Sequence, residues 1–202
     1  EGRSTLFKYD RVNNLVERRE IGMRTNFTSD DAGDLLTRFQ YDRNSNRTAV
    51  VAPTGEVTTN NYEAVDRLIE TVQRFNKLNE IGFVTGSTQD IYTRFEYDKE
   101  GNLLRQFDAN NRPVNYEYDA LGRRIKTTDV LGNSNITQFD DKNGRTTFID
   151  PEGGKVERVF DALNRVTQIN QQFKDASKAP IATQYEYDEL GSRTAEKYKI
   201  SG

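Results

Sequence analysis

The chain has 202 residues, of which 30% are charged and 34% hydrophobic, and its mean hydropathy is −0.88. Such a composition argues against an ordinary globule with a thick core, and the net charge of −3 comes from interleaved acids and bases with no basic block to follow a nucleic-acid backbone. Cysteine and histidine are both absent, which excludes disulfides, thiol chemistry and catalysis or metal binding by histidine within the chain.

The sequence also lacks targeting and nucleotide-binding signals. No apolar run approaches the ~20 residues of a membrane helix, no signal peptide opens the chain, and no glycine-rich phosphate loop occurs. Because the sequence begins with Glu1 and not Met, we expect it to be a segment of something longer.

The first predicted element, residues 4–13, is a short strand that ends in the tetrad Asp10-Arg11-Val12-Asn13. We interpret the tetrad as a β-turn, because an Asp in its first position accepts a hydrogen bond from the N–H two residues on. Its fourth position requires a positive φ, as in a type I turn followed by a G1 bulge, and Gly, Asn and Asp adopt that conformation cheaply. Phe7 and Tyr9, two residues apart, lie on one face of the strand.

The same frame continues along the chain with a few irregular connections. Gly22 is expected to mark one turn, and the fourth positions of the next four turns are Gly33, Ser45, Gly55 and Asp66. A longer hairpin connection is then predicted near 70–95, between the strand-like runs Leu68–Phe75 and Ile91–Tyr97, and a second irregular connection near 170–182.

From Tyr97 to Arg165 the pattern becomes regular, with an aromatic residue followed by Asp every 21 residues and a second turn-like tetrad halfway between. A fixed period of this kind indicates a repeat architecture. The first and fourth turn positions predicted from here onward are Asp98 and Gly101, Asp108 and Asn111, Asp119 and Gly122, Asp129 and Gly132, Asp140 and Asn143, Asp150 and Gly153, Asp161 and Asn164, and Asp188 and Gly191. The aromatic residues predicted to form rows beside the turns are Tyr9, Tyr41, Tyr97, Tyr116, Tyr118, Tyr185 and Tyr187.

These turns leave six or seven residues between them, which suits strands and is too short for helices. The predicted fold is therefore all-β: a single-layer antiparallel meander of about fifteen or sixteen short strands, built of successive β-hairpins. We expect residues 1–202 to form one continuous array that curls into a coiled sheet or part of a shell. Disorder is the alternative explanation of the polar composition, but disordered chains do not keep a frame of turns and aromatics.

The segment Tyr116-Glu117-Tyr118-Asp119-Ala120-Leu121-Gly122-Arg123 resembles the YD repeat of the RHS family, and Tyr185–Gly191 resembles it as well. The similarity covers nearly the whole chain and is weakest in 70–90 and 170–182. It implies a structural function, since RHS, toxin-complex and teneurin-like YD repeats coil as a continuous sheet into a hollow shell. In toxin-associated members the shell encloses a C-terminal effector, and an autoproteolytic aspartyl site releases it; neither that site nor an effector is found in this sequence.

The resemblance implies a large bacterial protein, secreted or at the cell surface, whose partners are the remainder of its own chain and an enclosed effector. We predict no catalytic, cofactor-binding or metal-binding residue and no cofactor, because the turn carboxylates have a local function and adjacent acids such as Asp140 and Asp141 point to opposite faces of a strand. No nucleic acid and no membrane span are expected.

One alternative remains open, a cell-surface or adhesion module that contacts glycans or other cells through exposed Tyr and Phe rows. Cross-strand pairing of those rings competes with this interpretation. An isolated wall segment should associate through its unpaired sheet edges, whereas an autonomous binding module should be monodisperse and gain thermal stability with a glycan.

Overall fold

The computed structural model of the chain describes residues 4–21, 34–74 and 90–200. In these ranges the chain forms sixteen strands that are hydrogen-bonded in sequence order, each antiparallel to the neighbours for which the register is resolved. The predicted all-β antiparallel meander is confirmed. Gly22, Gly33 and Phe75, which the sequence placed at two turns and a strand end, lie outside the described residues.

The chain divides into two compact units, one of Glu1–Glu96 with Gln106–Arg112 and one of Tyr97–Arg105 with Pro113–Gly202. The strands up to the first boundary are β1 Ser4–Tyr9, β2 Leu15–Ile21, β3 Leu35–Tyr41, β4 Arg47–Val51, β5 Val57–Tyr62, β6 Leu68–Arg74 and β7 Ile91–Tyr97. The strands that follow are β8 Leu103–Phe107, β9 Pro113–Tyr118, β10 Arg124–Thr128, β11 Ser134–Asp140, β12 Arg145–Ile149, β13 Lys155–Phe160, β14 Val166–Gln172, β15 Ile181–Tyr187 and β16 Arg193–Ile200.

Strand composition explains why these segments are extended. They are five to eight residues long and are rich in Thr, Val, Ile, Tyr and Phe, which suit a pleated surface. Pro113, the one proline inside a described strand, occupies the first residue of β9, where a missing N–H is tolerated. Eleven turn tetrads separate described strands, and each of them limits the length of the strands on either side.

Buried side chains are few. Among the described residues the buried apolar ones are Ala49, Val57 and Val72, all in the first unit, and no polar residue is buried as a whole. Ala49 lies opposite Thr59 in the β4–β5 pairing and Thr59 lies opposite Val72 in the β5–β6 pairing, so this small core lies on one face of three adjacent strands. A sheet of one layer accounts for such a small core.

The strand register shifts beside the turns that connect odd-numbered strands to the next strand. Shifts occur where β1, β3, β5, β9, β13 and β15 meet their following strands. A one-residue bulge next to a type I turn is the G1 arrangement expected from the sequence.

One predicted tetrad, Asp140–Asn143, is wrong in its last position. Asp141–Asn143 forms a 3₁₀ turn capped by Asp140, and the positive φ falls on Gly144, at 58°, instead of on Asn143. Here β11 and β12 pair Asp140 with Arg145 without a bulge. The residue that the other hairpins place in a bulge is therefore taken up inside this loop.

The two irregular connections fall between β6 and β7 and between β14 and β15. The first is formed by residues outside the described ranges. In the second, the N–H of Lys178 donates to the carbonyl of Asp175 over 3.0 Å, and the Asp175 carboxylate accepts from the N–H of Ser177 over 3.0 Å. This loop is a turn of its own within a longer connection.

Candidate functional site

The candidate functional site is a row of turns along one edge of the strand array. In an antiparallel meander the turns alternate between two edges, so within each unit the turns that follow odd-numbered strands share one edge. These are the turns after β1, β3 and β5 in the first unit and those after β7, β9, β11, β13 and β15 in the second. We call this set the turn row. The predicted residues that belong to it are Asp98, Gly101, Asp119, Gly122, Asp161, Asn164, Asp188 and Gly191.

The other predicted turn residues lie on the opposite edge, after an even-numbered strand, and are not brought together with the turn row. They are Asp108, Asn111, Asp129, Gly132, Asp150 and Gly153. The described turns of the opposite edge that begin after β4, β8, β10 and β12 are preceded by Val51, Phe107, Thr128 and Ile149, of which one is aromatic. On the turn row, an aromatic residue directly precedes every described turn except the β11–β12 loop. There Phe139 lies one residue further from the 3₁₀ turn, which begins at Asp141.

The backbone of each tetrad is closed by two hydrogen bonds. In the turn after β9, the Gly122 N–H donates to the Asp119 carbonyl over 3.0 Å, and the Asp119 N–H donates to the Arg123 carbonyl over 3.0 Å. The same two bonds close eleven tetrads among the described residues, and all eleven fourth residues have a positive φ. Ser45, the departure from the Gly, Asn or Asp pattern, adopts it too, at 65°.

The first-position aspartates bind more of the turn than the sequence indicated. Asp119 Oδ1 accepts the N–H of Leu121, two residues on, over 2.9 Å, and also that of Arg123, four residues on, over 3.0 Å. The second of these bonds is present in all nine described turns that begin with Asp. The carboxylate therefore organises a pentad.

The fifth residue returns a side chain to the same carboxylate. In four turns an Asn amide binds the second oxygen, Oδ2, and in three an Arg guanidinium does so through Nε; these residues are Asn14, Asn46, Asn102, Asn133, Arg112, Arg123 and Arg165. This role of the fifth residue was not predicted from the sequence. The recurrence of Asn or Arg directly after the fourth turn position was the signal that could have revealed it.

Turns of the row also contact the next turn along the same edge. In the first unit, Asn14 Nδ2 donates to Ser45 Oγ over 3.2 Å and Asn44 Nδ2 donates to Asp66 Oδ1 over 2.8 Å. In the second unit, Arg123 binds both oxygens of Asp141, over 2.7 and 3.0 Å. The turn row is thus linked side chain to side chain.

Tyrosines directly before the turns add a second link. The hydroxyls of Tyr41, Tyr118 and Tyr187 donate to the carbonyls of Leu15, Leu103 and Val166, over 2.9, 3.0 and 2.7 Å. Each acceptor is the first residue after the preceding turn of the row. Two other members of the predicted aromatic rows, Tyr9 and Tyr97, end β1 and β7, and Tyr9 is exposed.

The remaining predicted aromatics, Tyr116 and Tyr185, lie two residues further from the turns and are covered by arginines. The Arg124 guanidinium lies 5.5 Å from the Tyr116 ring centroid, and that of Arg193 lies 5.2 Å from Tyr185. Arg123 similarly covers Phe139 at 4.0 Å. From the sequence, the aromatic rings were predicted to pair with one another across strands. The structure shows guanidinium groups over these rings, a cation–π arrangement.

Arg123 is the residue that joins these interactions. Its guanidinium binds Asp119 over 2.8 Å, binds Asp141 in bidentate fashion and lies over Phe139. The hydrogen bond from Arg123 lowers the pKa of Asp141. For Asp119, desolvation acts to raise the pKa, but the hydrogen bonds from Arg123 and Leu121 outweigh it, so its pKa is lowered as well.

We expect Arg123→Lys to lower Tm by about 3–6 °C, since one ammonium cannot reproduce the fork that holds two carboxylates. Asp119 and Asp141 would then repel each other with less compensation. Thermal melting followed by circular dichroism measures the change. Arg124→Lys is the matched control, because Arg124 is the next residue, is exposed and lies over a ring; an equal loss in both variants would contradict the assigned role.

Acid should weaken the turns. The pKa of six first-position aspartates is lowered from the ordinary value of 3.8. The chief cause is the side chain of the fifth residue for Asp42, Asp98, Asp108 and Asp129, and the backbone N–H of that residue for Asp10 and Asp161. A carboxyl group whose pKa is lower in the folded state contributes its full stability at a pH above its unfolded-state pKa. That contribution is lost as the pH falls through the lower, folded-state pKa. Tm measured from pH 7 to pH 2 should stay level down to about pH 5 and then fall. A Tm that rises below about pH 4 would disprove this prediction.

Other kinds of site are not indicated. Within 4–21, 34–74 and 90–200 no group of three acidic, histidine or cysteine side chains could hold a metal ion. In the same residues no helix is long and apolar enough to cross a membrane.

A family profile and several known proteins match this chain. The family profile described as Teneurin YD-shell matches residues 4–145. Human Teneurin-1 is 32% identical over 97 residues, which are 47% of this chain and 3% of that protein. The tRNA nuclease WapA of Bacillus subtilis strain 168 is 27% identical over 105 residues, which are 50% of this chain and 4% of that protein. The chain spans only 3–5% of the length of such curated relatives.

Solved structures share the fold at low identity. The crystal structure of TcdB2-TccC3-Cdc42 has a TM-score of 0.71 and 14% identity, with 100% of this chain and 11% of that chain covered. The structure of the Photorhabdus luminescens Tc holotoxin pore has a TM-score of 0.68 and 14% identity, with 100% of this chain and 10% of that chain covered. The likeness therefore extends over the full length of the chain.

Proposed function

Because the chain belongs to the Teneurin YD-shell family, in which it is a shell-forming repeat segment, we propose that it forms part of the wall of a hollow β-shell that encloses a toxin or effector. The observation that supports this function most strongly is the linked turn row. Eleven described turns are closed by the same two backbone hydrogen bonds, and several are joined to a neighbour by side chains, as Arg123 joins Asp119 to Asp141. An array held at its edge in this way needs no second layer.

A wall also has to tolerate solvent on its surfaces, and the sparse core supports that requirement. The buried apolar side chains among the described residues are Ala49, Val57 and Val72. Stability then comes from ladders of backbone hydrogen bonds and from neighbour contacts, as in repeat proteins whose units touch only adjacent units. Such a sheet can have an interior and an exterior face without being thick.

The proposed partners are the remainder of the parent chain and an enclosed effector segment. The parent protein is proposed to be bacterial and secreted or displayed at the cell surface. Support comes from the relatives, which include a Tc holotoxin pore and tRNA nucleases, proteins many times longer than this chain.

We propose no enzymatic activity for the chain itself. The nuclease activity in the names of the WapA relatives is theirs, and the aligned region is 4% of their length. In this chain the turn carboxylates are engaged by backbone N–H groups and by side chains, as at Asp119, and no histidine is present to act as a general base.

Glycan binding, the alternative from the sequence, is not the function we favour. A sugar that stacks on a tyrosine needs an open ring face, and Arg124 and Arg193 lie over the rings of Tyr116 and Tyr185. These two rings are engaged by arginines of the sheet itself.

The test uses the parent protein purified from its native source. We expect an intact mass many times the 23.2 kDa of this chain. Under native digestion the enclosed segment should survive while exposed linkers are cut, and after exposure to pH 2 it should be digested at the rate of the linkers. A parent near 23.2 kDa, or an effector segment cut as fast as the linkers in the native protein, would refute the proposal.

A further inference from the structure

Three neighbouring turns on the turn row of the second unit carry an acidic, an apolar and a basic side chain. Glu100 and Leu121 occupy the third positions of their tetrads, Lys142 lies in the 3₁₀ turn between β11 and β12, and all three are exposed. Leu121 retains 74% of its accessible surface. This leucine at the tip of a turn therefore presents most of its apolar surface to solvent.

The three turns are direct neighbours on the turn row. Tyr118, which precedes the Leu121 turn, donates its hydroxyl to Leu103, which follows the Glu100 turn. On the other side, Arg123 binds Asp141 of the Lys142 turn. Successive tips are two strands apart, so the three side chains are spaced at about 10 Å.

The carboxylates at the base of these turns are already hydrogen-bonded. Asp119 and Asp141 share the Arg123 guanidinium, and Asp98 accepts from Asn102. A surface that packs against Glu100, Leu121 and Lys142 therefore takes no hydrogen bond from these carboxylates. When a second copy of the order acidic, apolar, basic is placed in reverse beside the first, each charge faces the opposite charge and the apolar residue faces itself.

We propose that this stretch of the turn row is a self-pairing surface whose partner is a second copy of the same chain. The two rows run antiparallel about a two-fold axis at Leu121, so that Leu121 meets the partner's Leu121 and Glu100 faces the partner's Lys142. A second turn row has the same spacing by construction, which a flat or helical surface does not. The contact is isologous, as in most homodimers.

The contact area is small. One leucine pair and two ion pairs bury far less than the ~1,200 Å² of a stable interface, and exposed ion pairs contribute little each. Pairing between free chains is therefore transient, and a covalent trap is the suitable readout. The inference goes beyond the wall function, because the same pairing would occur in a chain that encloses nothing.

The absence of native cysteine allows a clean trap. Leu121→Cys places one thiol at the proposed axis, and Leu131→Cys, at a tip on the opposite edge with 79% exposure, is the matched control. Under a mild oxidant we expect Leu121→Cys to form disulfide-linked dimers at least ten times faster. Equal rates, with both variants folded by circular dichroism, would overturn the proposal.

Charge reversal tests the register. In the Leu121→Cys background, Glu100→Lys and Lys142→Glu should each slow dimer formation at least threefold, since like charges then face each other. The double variant should restore the original rate. Losses that add in the double variant, or single variants without effect, would overturn the antiparallel register. Association through strand edges would respond to none of these substitutions.

Discussion

Replacing Val72 by Asp is expected to lower the free energy of unfolding by about 3 kcal/mol, because it leaves an unpaired charge in a buried position. Val72 is 2% exposed, and it lies opposite Thr59 on one side and Tyr92 on the other. No cation faces it from those two positions. Urea denaturation of the chain, followed by far-ultraviolet circular dichroism, measures the loss.

Gln73→Asp is the matched control for this substitution. Gln73 is the next residue of β6, points to the opposite face and is exposed, so the same carboxylate there should cost less than about 0.5 kcal/mol. If both variants lost the same stability, strand propensity would be the cause and the small core around Val72 would carry no special weight.

Gly122→Val is expected to cost about 2 kcal/mol, from backbone strain. Gly122 has φ of +74°, which a β-branched residue adopts only with difficulty. Space is not the obstacle, since an added Cβ would meet Asn102 Oδ1 at 3.6 Å, an ordinary van der Waals distance. The same denaturation experiment measures this loss.

Gly122→Asn separates strain from simple loss of glycine. Asn occupies the equivalent position at Asn13, Asn111 and Asn164 with φ between 60° and 67°, so this variant should lose less than about 0.7 kcal/mol. Glu117→Gln should be nearly silent as well, because its bond to Lys126 joins two exposed side chains. Equal effects of the Val and Asn variants would disprove the strain argument.

The local turn conformations could be predicted from the sequence because they depend on nearest neighbours. A residue such as Gly122 or Asn164 is selected by its own φ, and the strand length follows from the distance to the next turn. The antiparallel order followed as well, since turns every 10 or 11 residues leave no room for a crossover. These features need no knowledge of packing.

Features that depend on partners distant in sequence could not be predicted in the same way. That Val72 is buried while Ile69, in the same strand, is partly exposed depends on three strands meeting on one face. That Arg123 reaches Asp141, 18 residues away, depends on the pairing of β10 with β11, which brings the two hairpins side by side. The shift of the positive φ to Gly144 depends on a bulge that β11 and β12 do not form.

The contacts of the candidate site were less predictable from the sequence than the fold. Motif spacing identified the aspartates but assigned them one bond each, whereas Asp119 accepts from two backbone N–H groups and from a side chain. The arginines over Tyr116 and Tyr185 each follow their ring by eight residues. That interval crosses a turn and a bulge, so only the hairpin geometry shows the two groups to be neighbours.

The alternation of the turns between two edges limits how such a protein can grow by gene duplication. Inserting or deleting 21 residues adds or removes a whole hairpin and leaves every tyrosine hydroxyl, such as that of Tyr118, beside a carbonyl of the kind it already binds. A change of 10 or 11 residues moves all following turns of the row to the other edge, where the equivalents of Arg123 and Asp141 no longer meet. Descendants of an ancestral array should therefore differ in length by even numbers of strands.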